Sequence, residues 1–266
     1  MNERSLTNAG LADGPVRLAV AKGIAVITLC RPPVNAIDDK WVRRLAEILG
    51  EIDGRADVGV LWIRSSEPYF SVGADLEFMR GRFSSDAGRD EIIEFTRTLQ
   101  QVYGRLEALK TVSVAEIAGA ALGGGLELAL ACDLRIVADS AKIGLPEARL
   151  GLLPAGGGTQ RLTRICGEVV ARRLILGAEV IDGREAVAVG LAHWSAPATD
   201  VESLARSVTQ RIAELPATAL AACKHCIAAA ANVDCDGFEE ELSWSRTLLG
   251  LPETRQRIQQ FLEKQH

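Results

Sequence analysis

Ala121–Asp133 reads ALGGGLELALACD. Gly123, Gly124 and Gly125 stand directly before Leu126 and Glu127, and an apolar run follows. The run predicts a helix opened by the glycines. Glycine leaves the backbone bare, which suits close approach to another group. A carboxylate at the mouth of an apolar helix is costly to bury unless it has a partner or a task.

The flanking segments set the fold class. TVSVAEI (111–117) and DLRIVAD (133–139) read as strands on either side of this helix. VGVLWIR (58–64) is a continuous apolar run, as in a strand buried on both faces. VRLAV (16–20) and IAVITL (24–29) flank Ala21-Lys22-Gly23 as a hairpin. A helix over about 39–53 places Trp41, Leu45, Ile48 and Ile52 on one face, with Asp38 or Asp39 as its cap. A second long helix covers about 90–109, and YFSVGAD (69–75) is a glycine turn. This alternation of strands and helices predicts an α/β fold with parallel pairing.

From about residue 200 only helices are expected: 200–214, 217–231, 236–248 and 252–264, with breaks at Leu215-Pro216 and Leu251-Pro252. The chain therefore divides into an α/β core over 1–199 and a helical C-terminal region over 200–266. No fixed-period repeat interrupts it.

Composition narrows the function. An apolar share of 48% with 24% charged residues is that of an ordinary globular protein. A net charge of −5 argues against nucleic acid, whose binders usually carry a basic excess. No apolar run reaches membrane-spanning length, so no membrane partner is expected. MNERSLTNAG (1–10) has no apolar core of a secretory signal, and the expected location is cytoplasmic. Most of the six cysteines lie in apolar or helical contexts, as reduced core thiols do. Cys223-Lys224-His225-Cys226 lacks a second ligand pair, so no metal site is expected.

Nucleotide readings of the glycine run fail. Gly119 and Gly124 have the spacing of a phosphate loop, but Gly125 and Leu126 follow in place of Lys and Ser or Thr. The helix terminus offers a better use. Its first amides have no internal partner, and with the helix dipole they stabilise a negative oxygen. Val72-Gly73-Ala74-Asp75 supplies a second amide at Ala74. Two amides converging on one carbonyl oxygen make an oxyanion hole. Glu127 and Glu147 are the candidate acids, the latter after Pro146 in GLPEARLGLLPAGGGTQ (144–160). Two acids near one oxyanion hole are able to share a water and shuttle a proton. The plainer alternative makes them partners of Arg149 or Arg161.

An ordered set of motifs resembles the crotonase (enoyl-CoA hydratase/isomerase) family over nearly the whole chain. It comprises Arg31-Pro32-Pro33-Val34-Asn35-Ala36, Phe70 to Leu76, Ala118-Gly119 with Ala121 to Leu128, Cys132-Asp133, Gly144-x-Pro146-Glu147, Leu150-Gly151, Pro154, and Gly157 to Leu162. The resemblance implies a spiral of ββα units followed by a helical trimerisation region, with trimers or pairs of trimers. It places the oxyanion amides on Ala74 and Gly124 and the two hydratase acids on Glu127 and Glu147. Val72, Gly73, Ala74, Asp75, Leu76 and Gly123 fall in the substrate-contacting set, and Phe261 and Lys264 are placed to touch coenzyme A from a neighbouring position, the plainer alternative being a solvent-facing amphipathic helix. Coenzyme A is part of the substrate, and no separate cofactor is implied.

With both acids present, the implied reaction is reversible syn addition of water to a trans-2-enoyl-CoA, giving a 3-hydroxyacyl-CoA. Enoyl-CoA isomerisation, or hydration of a specialised branched or aromatic acyl-CoA, is the rival within the family. A non-enzymatic RNA-binding scaffold is the rival outside it, and the retained acids and acidic balance speak against that. Three features depart from the family pattern. Val72 replaces the commoner alanine, Leu145 stands where many hydratases carry glutamine, and Pro32-Pro33-Val34 lacks a basic residue found in some relatives.

Overall fold

A computed structural model describes residues 14–264 of the chain, so the N-terminal stretch Met1–Gly10 read above lies outside the described residues. β1 (Val16–Ala21) and β2 (Ile24–Leu29) pair antiparallel. α1 (Asp39–Ile52) begins at Asp38, whose carboxylate accepts from the Trp41 amide. That settles the cap on Asp38, and the expected apolar face of α1 is buried. β3 (Val60–Ser65), α2 (Leu76–Arg80), α3 (Asp86–Ala108) and β4 (Val112–Ile117) follow. α3 starts earlier than the apolar pattern suggests because the Ser85 side chain accepts from the Gly88 amide and caps it.

The glycine-led segment gives β5 (Ala121–Leu122) and α4 (Gly124–Leu130), with every residue of α4 buried. Next come β6 (Leu134–Ala138), β7 (Ile143–Gly144) and a 3₁₀ turn over Pro146–Leu150. α5 (Gly158–Leu176), β8 (Val180–Ile181), α6 (Gly183–Ala188) and β9 (Trp194–Ala196) complete the α/β body.

The main sheet has the order β1-β2-β3-β4-β6-β9. Its pairs are parallel from β2 onward, so the hairpin makes it a mixed sheet rather than a wholly parallel one. Side chains alternate across it. Leu61 and Ile63 of β3 face the large core with α1, α3 and α4, while Val60 and Trp62 face a smaller core. This double burial explains the unbroken apolar run over Val60–Ile63. A second sheet, β5-β7-β8, is built from strands only two residues long. Such short pairings carry no period that a sequence reading is able to detect.

Four helices close the chain: α7 (Val201–Ala213), α8 (Ala217–Ala229), α9 (Gly237–Gly250) and α10 (Pro252–Glu263). α7 covers the second face of the sheet through Val201, Ala205, Val208 and Ile212. α8 is tied to the body by Lys224, whose Nζ lies 2.8 Å from Asp133. α9 and α10 bury no residue and leave Phe238, Leu242, Leu249, Phe261 and Leu262 exposed.

Among the described residues, no helix is long and apolar enough to cross a membrane. All six cysteines are free. Only Cys132 is fully buried and Cys223 is exposed, which corrects the expectation of mainly core thiols.

Candidate active site

Both glycine turns leave the carboxyl ends of adjacent parallel strands, one after β3 and one after β4. That edge of an open α/β sheet is where ligands usually bind. The turns are held together by a ladder. Ser71 N donates to Ala120 O, Leu122 N to Ser71 O, and Gly123 N to Gly144 O.

Ile37 and Ala74 form a parallel bridge, in which Ile37 N donates to Gly73 O and Asp75 N donates to Ile37 O. The Ala74 amide therefore points to the other side, toward the second turn. Among the described residues, neither Ala74 N nor Gly124 N has a hydrogen-bond partner.

Bare backbone is required for this approach. A Cβ on Gly73 would lie 2.9 Å from Gly124 N, and one on Gly124 would lie 3.6 Å from Ala74 N. Gly73 and Gly123 also hold positive φ, at 96° and 51°. A Cβ on Gly125 would lie 2.3 Å from Ser71 O. The triplet thus has a separate steric reason at each position.

Asn35 and Arg31 brace the first turn. The Asn35 side chain is fully buried and its Nδ2 reaches the carbonyls of Tyr69 and Phe70 at 3.0 and 3.1 Å. Ser71 Oγ donates to Asn35 O at 2.7 Å. Arg31 pairs with Asp75, and the guanidinium holds that carboxyl below its usual range. Asp75 also caps α2, so its side chain is committed and only its backbone is free to meet a ligand. Leu76, the next residue, is half exposed.

Glu127 sits in the first turn of α4 and is almost fully buried. Its Oε1 accepts from Gly158 N at 2.7 Å. Burial pushes its carboxyl up to about 7, the amides of Gly158 and Gly156 pull it down, and the charge of Glu147 adds to the rise. Glu147 is half-buried, and burial raises its carboxyl too. Its Oε1 lies 2.9 Å from where a Gly123 Cβ would stand, and its Oε2 is buried without a partner.

The arginine alternative fails. Arg149 donates to Ala178 O, and Arg161 pairs with Glu107 and donates to Gly156 O. Two carboxyls without a bound cation thus lie beside two unpaired amides. Such a site accepts an oxyanion on the amides and a water between the acids.

A second glycine run, 156–158, carries no sequence signal of its role. A Cβ on Gly156 would lie 2.4 Å from Glu127 Oε2, and one on Gly158 would lie 2.9 Å from Oε1. These glycines form the cradle of Glu127. Leu145, fully buried, packs its Cδ1 at 3.0 Å from the same Gly158 Cβ position. The structure brings Val72, Gly73, Ala74, Gly123, Gly124, Glu127 and Glu147 together. Phe261 and Lys264 are exposed on and just after α10, and among the described residues no bond links either to the site.

The sequence matches the family described as enoyl-CoA hydratase/isomerase over residues 19–266. It is 38% identical over 205 residues to a probable enoyl-CoA hydratase of Mycobacterium bovis, covering 77% of each chain. It is 41% identical over 172 residues to the mitochondrial methylglutaconyl-CoA hydratase of Mus musculus, covering 64% of this chain and 53% of that protein. The fold superposes on an enoyl-CoA hydratase structure from Geobacillus kaustophilus with a TM-score of 0.89 at 28% identity, covering 95% of each chain. The crotonase-like α/β fold and the sequence match agree, and this chain belongs to the enoyl-CoA hydratase/isomerase family of enzymes.

Proposed function

We propose that this chain is an enoyl-CoA hydratase that adds water, reversibly and on one face, to the double bond of a trans-2-enoyl-CoA. The observation that carries this reading is the pair of uncompensated carboxyls, Glu127 and Glu147, beside the unpartnered amides of Ala74 and Gly124. The thioester carbonyl oxygen accepts from both amides. As water attacks C3, negative charge builds on that oxygen, and the amides stabilise the enolate. Glu127 holds the water and takes its proton, and Glu147 delivers a proton to C2. The proton on Glu127 returns to Glu147 through the next water, so one water is consumed per turn.

The backbone of Val72–Leu76 and Gly123 lines the coenzyme A side, and no further cofactor takes part. Exposed apolar residues on α9 and α10 support a homotrimer or pair of trimers, in which Phe261 and Lys264 reach a neighbour's coenzyme A. Six free thiols suit a reducing compartment such as the cytoplasm. Isomerisation moves a proton between C2 and C4 and needs only one acid. The presence of a second, half-buried carboxyl favours hydration.

The test is the loss of conjugated-thioester absorbance on mixing the protein with crotonyl-CoA and longer trans-2-enoyl-CoAs. Loss with formation of the 3-hydroxyacyl-CoA supports the reading. No loss on any straight chain, with turnover of 3-enoyl or branched thioesters instead, overturns it in favour of the rivals.

A further inference from the structure

α3 runs beside both glycine loops, and one stripe of its side chains reaches them. Tyr103, fully buried, donates its hydroxyl to Gly124 O at 2.9 Å. Gln100 Nε2 donates to Ala155 O at 2.6 Å. Glu107 accepts from Arg161 Nε at 2.9 Å, and Arg161 Nη1 donates onward to Gly156 O at 3.1 Å. Positions 100, 103 and 107 share a helix face by their spacing. One of the loops they touch carries the Gly124 amide, and the other cradles Glu127.

Both loops owe their conformation to glycine, and glycine is the residue least able to hold a backbone by itself. The definition of these turns must come from outside them. Gly124 belongs to a seven-residue helix whose N-cap glycine makes no side-chain cap bond. The Tyr103 hydroxyl is the side-chain donor that pins its first carbonyl. Burial and the nearby Glu127 push the phenol well above its ordinary range, so it stays an O–H donor at every working pH.

We propose that α3 is a splint for the site: Tyr103 and Gln100 fix the oxyanion turn and the Glu127 cradle at one separation, which makes Tyr103 a positioning residue of the reaction. Tyr103 acts through the Gly124 peptide, whose carbonyl it holds. The inference rests on the hydratase reading above.

The experiment compares Tyr103→Phe and Gln100→Ala with the native enzyme on crotonyl-CoA. It also records the infrared carbonyl stretch of bound butyryl-CoA labelled with ¹³C at the thioester carbon. In Tyr103→Phe, kcat should fall about tenfold or more with KM within about twofold, since small misplacements of catalytic donors act on the transition state. The downward shift of the bound carbonyl stretch should shrink. Gln100 is exposed, so its variant leaves the core intact, and kcat should fall about threefold.

Native kcat in both variants, or an unchanged carbonyl shift in Tyr103→Phe with only a lower melting temperature, overturns the proposal. Should Tyr103→Phe not fold, native kcat in Gln100→Ala overturns it alone. If the native enzyme hydrates no enoyl thioester, the functional reading fails. The carbonyl shift then still decides the role of Tyr103.

Discussion

Gly158 donates its backbone N–H to Oε1 of Glu127 across 2.7 Å, joining residues 31 positions apart. That bond favours the ionised carboxyl, while burial disfavours it, and burial wins: the carboxyl is pushed up to about 7. The outcome is an acid that changes charge near neutrality, where proton transfer to and from water is most effective.

Removing either acid should stop the chemistry without emptying the site. Glu127→Gln and Glu147→Gln should each lower turnover of crotonyl-CoA by at least about 100-fold. Coenzyme A binding, measured by calorimetry, should stay close to native because neither carboxyl is assigned to the nucleotide. A variant that keeps near-native turnover would remove its residue from the mechanism.

The pH dependence follows from the raised carboxyl. Glu127 must be ionised to take a proton from water, so hydration should slow as pH falls through about 7. The limb should appear in kcat/KM, which reports the free enzyme. Because Glu147 contributes to the rise, the midpoint belongs to the pair. An acid limb near 4.5, the ordinary value, would show that the buried environment does not act on the reacting group.

The same shift has a stability consequence of definite sign. Glu127 binds its proton more tightly folded than unfolded, so the native chain loses stability as pH rises from about 4.5 toward 7. The gap corresponds to about 3 kcal/mol. A glutamine carries no charge, and its amide oxygen still accepts from Gly158. Glu127→Gln should therefore melt higher than native at pH 8, with the difference shrinking toward pH 5. A variant that melts lower at both values would mean that the charged form is stabilised in the fold.

Much of this was legible in the residues. The hairpin, the capped α1, the strand at 58–64 and the four closing helices each have a period or a breaker that marks them. The two glycine turns were legible because Gly73 and Gly123–Gly125 break the strand and helix patterns on either side of them. The cradle of Glu127 was not. Gly156 and Gly158 meet Glu127 only through folding of distant segments, and β5, β7 and β8 are too short to show a pattern. Nor was the part played by Tyr103, since its bond to Gly124 O exists only in three dimensions.

The cradle is open to a steric test. A Cβ at position 156 would lie 2.4 Å from Glu127 Oε2 and 3.2 Å from Leu99 Cδ2, both side-chain atoms. Gly156→Ala should fold, shift the Glu127 carboxylate and lower kcat by about tenfold or more. Gly125→Ala meets the Ser71 carbonyl at 2.3 Å, a backbone atom that has nowhere to move, and should lose stability instead. Equal melting temperatures for the two variants would contradict this division.

The C-terminal helices carry the last prediction. Phe238, Leu242 and Leu249 of α9 are 80%, 63% and 65% exposed, and α10 adds Ile258, Phe261 and Leu262. A run of large apolar side chains on two helices that bury nothing within the chain is costly in water. Association removes that cost. Sedimentation should give about three or six times the 28.5 kDa of one chain. Leu242→Glu with Leu249→Glu should shift the mass toward one chain, because an unpaired carboxylate in an apolar interface opposes association. If Phe261 and Lys264 reach a neighbour's coenzyme A, the separated chain should also show a raised KM with kcat less affected. A native enzyme that sediments as a single chain at micromolar concentration would leave these helices without their proposed cover, and Phe261 and Lys264 without a role.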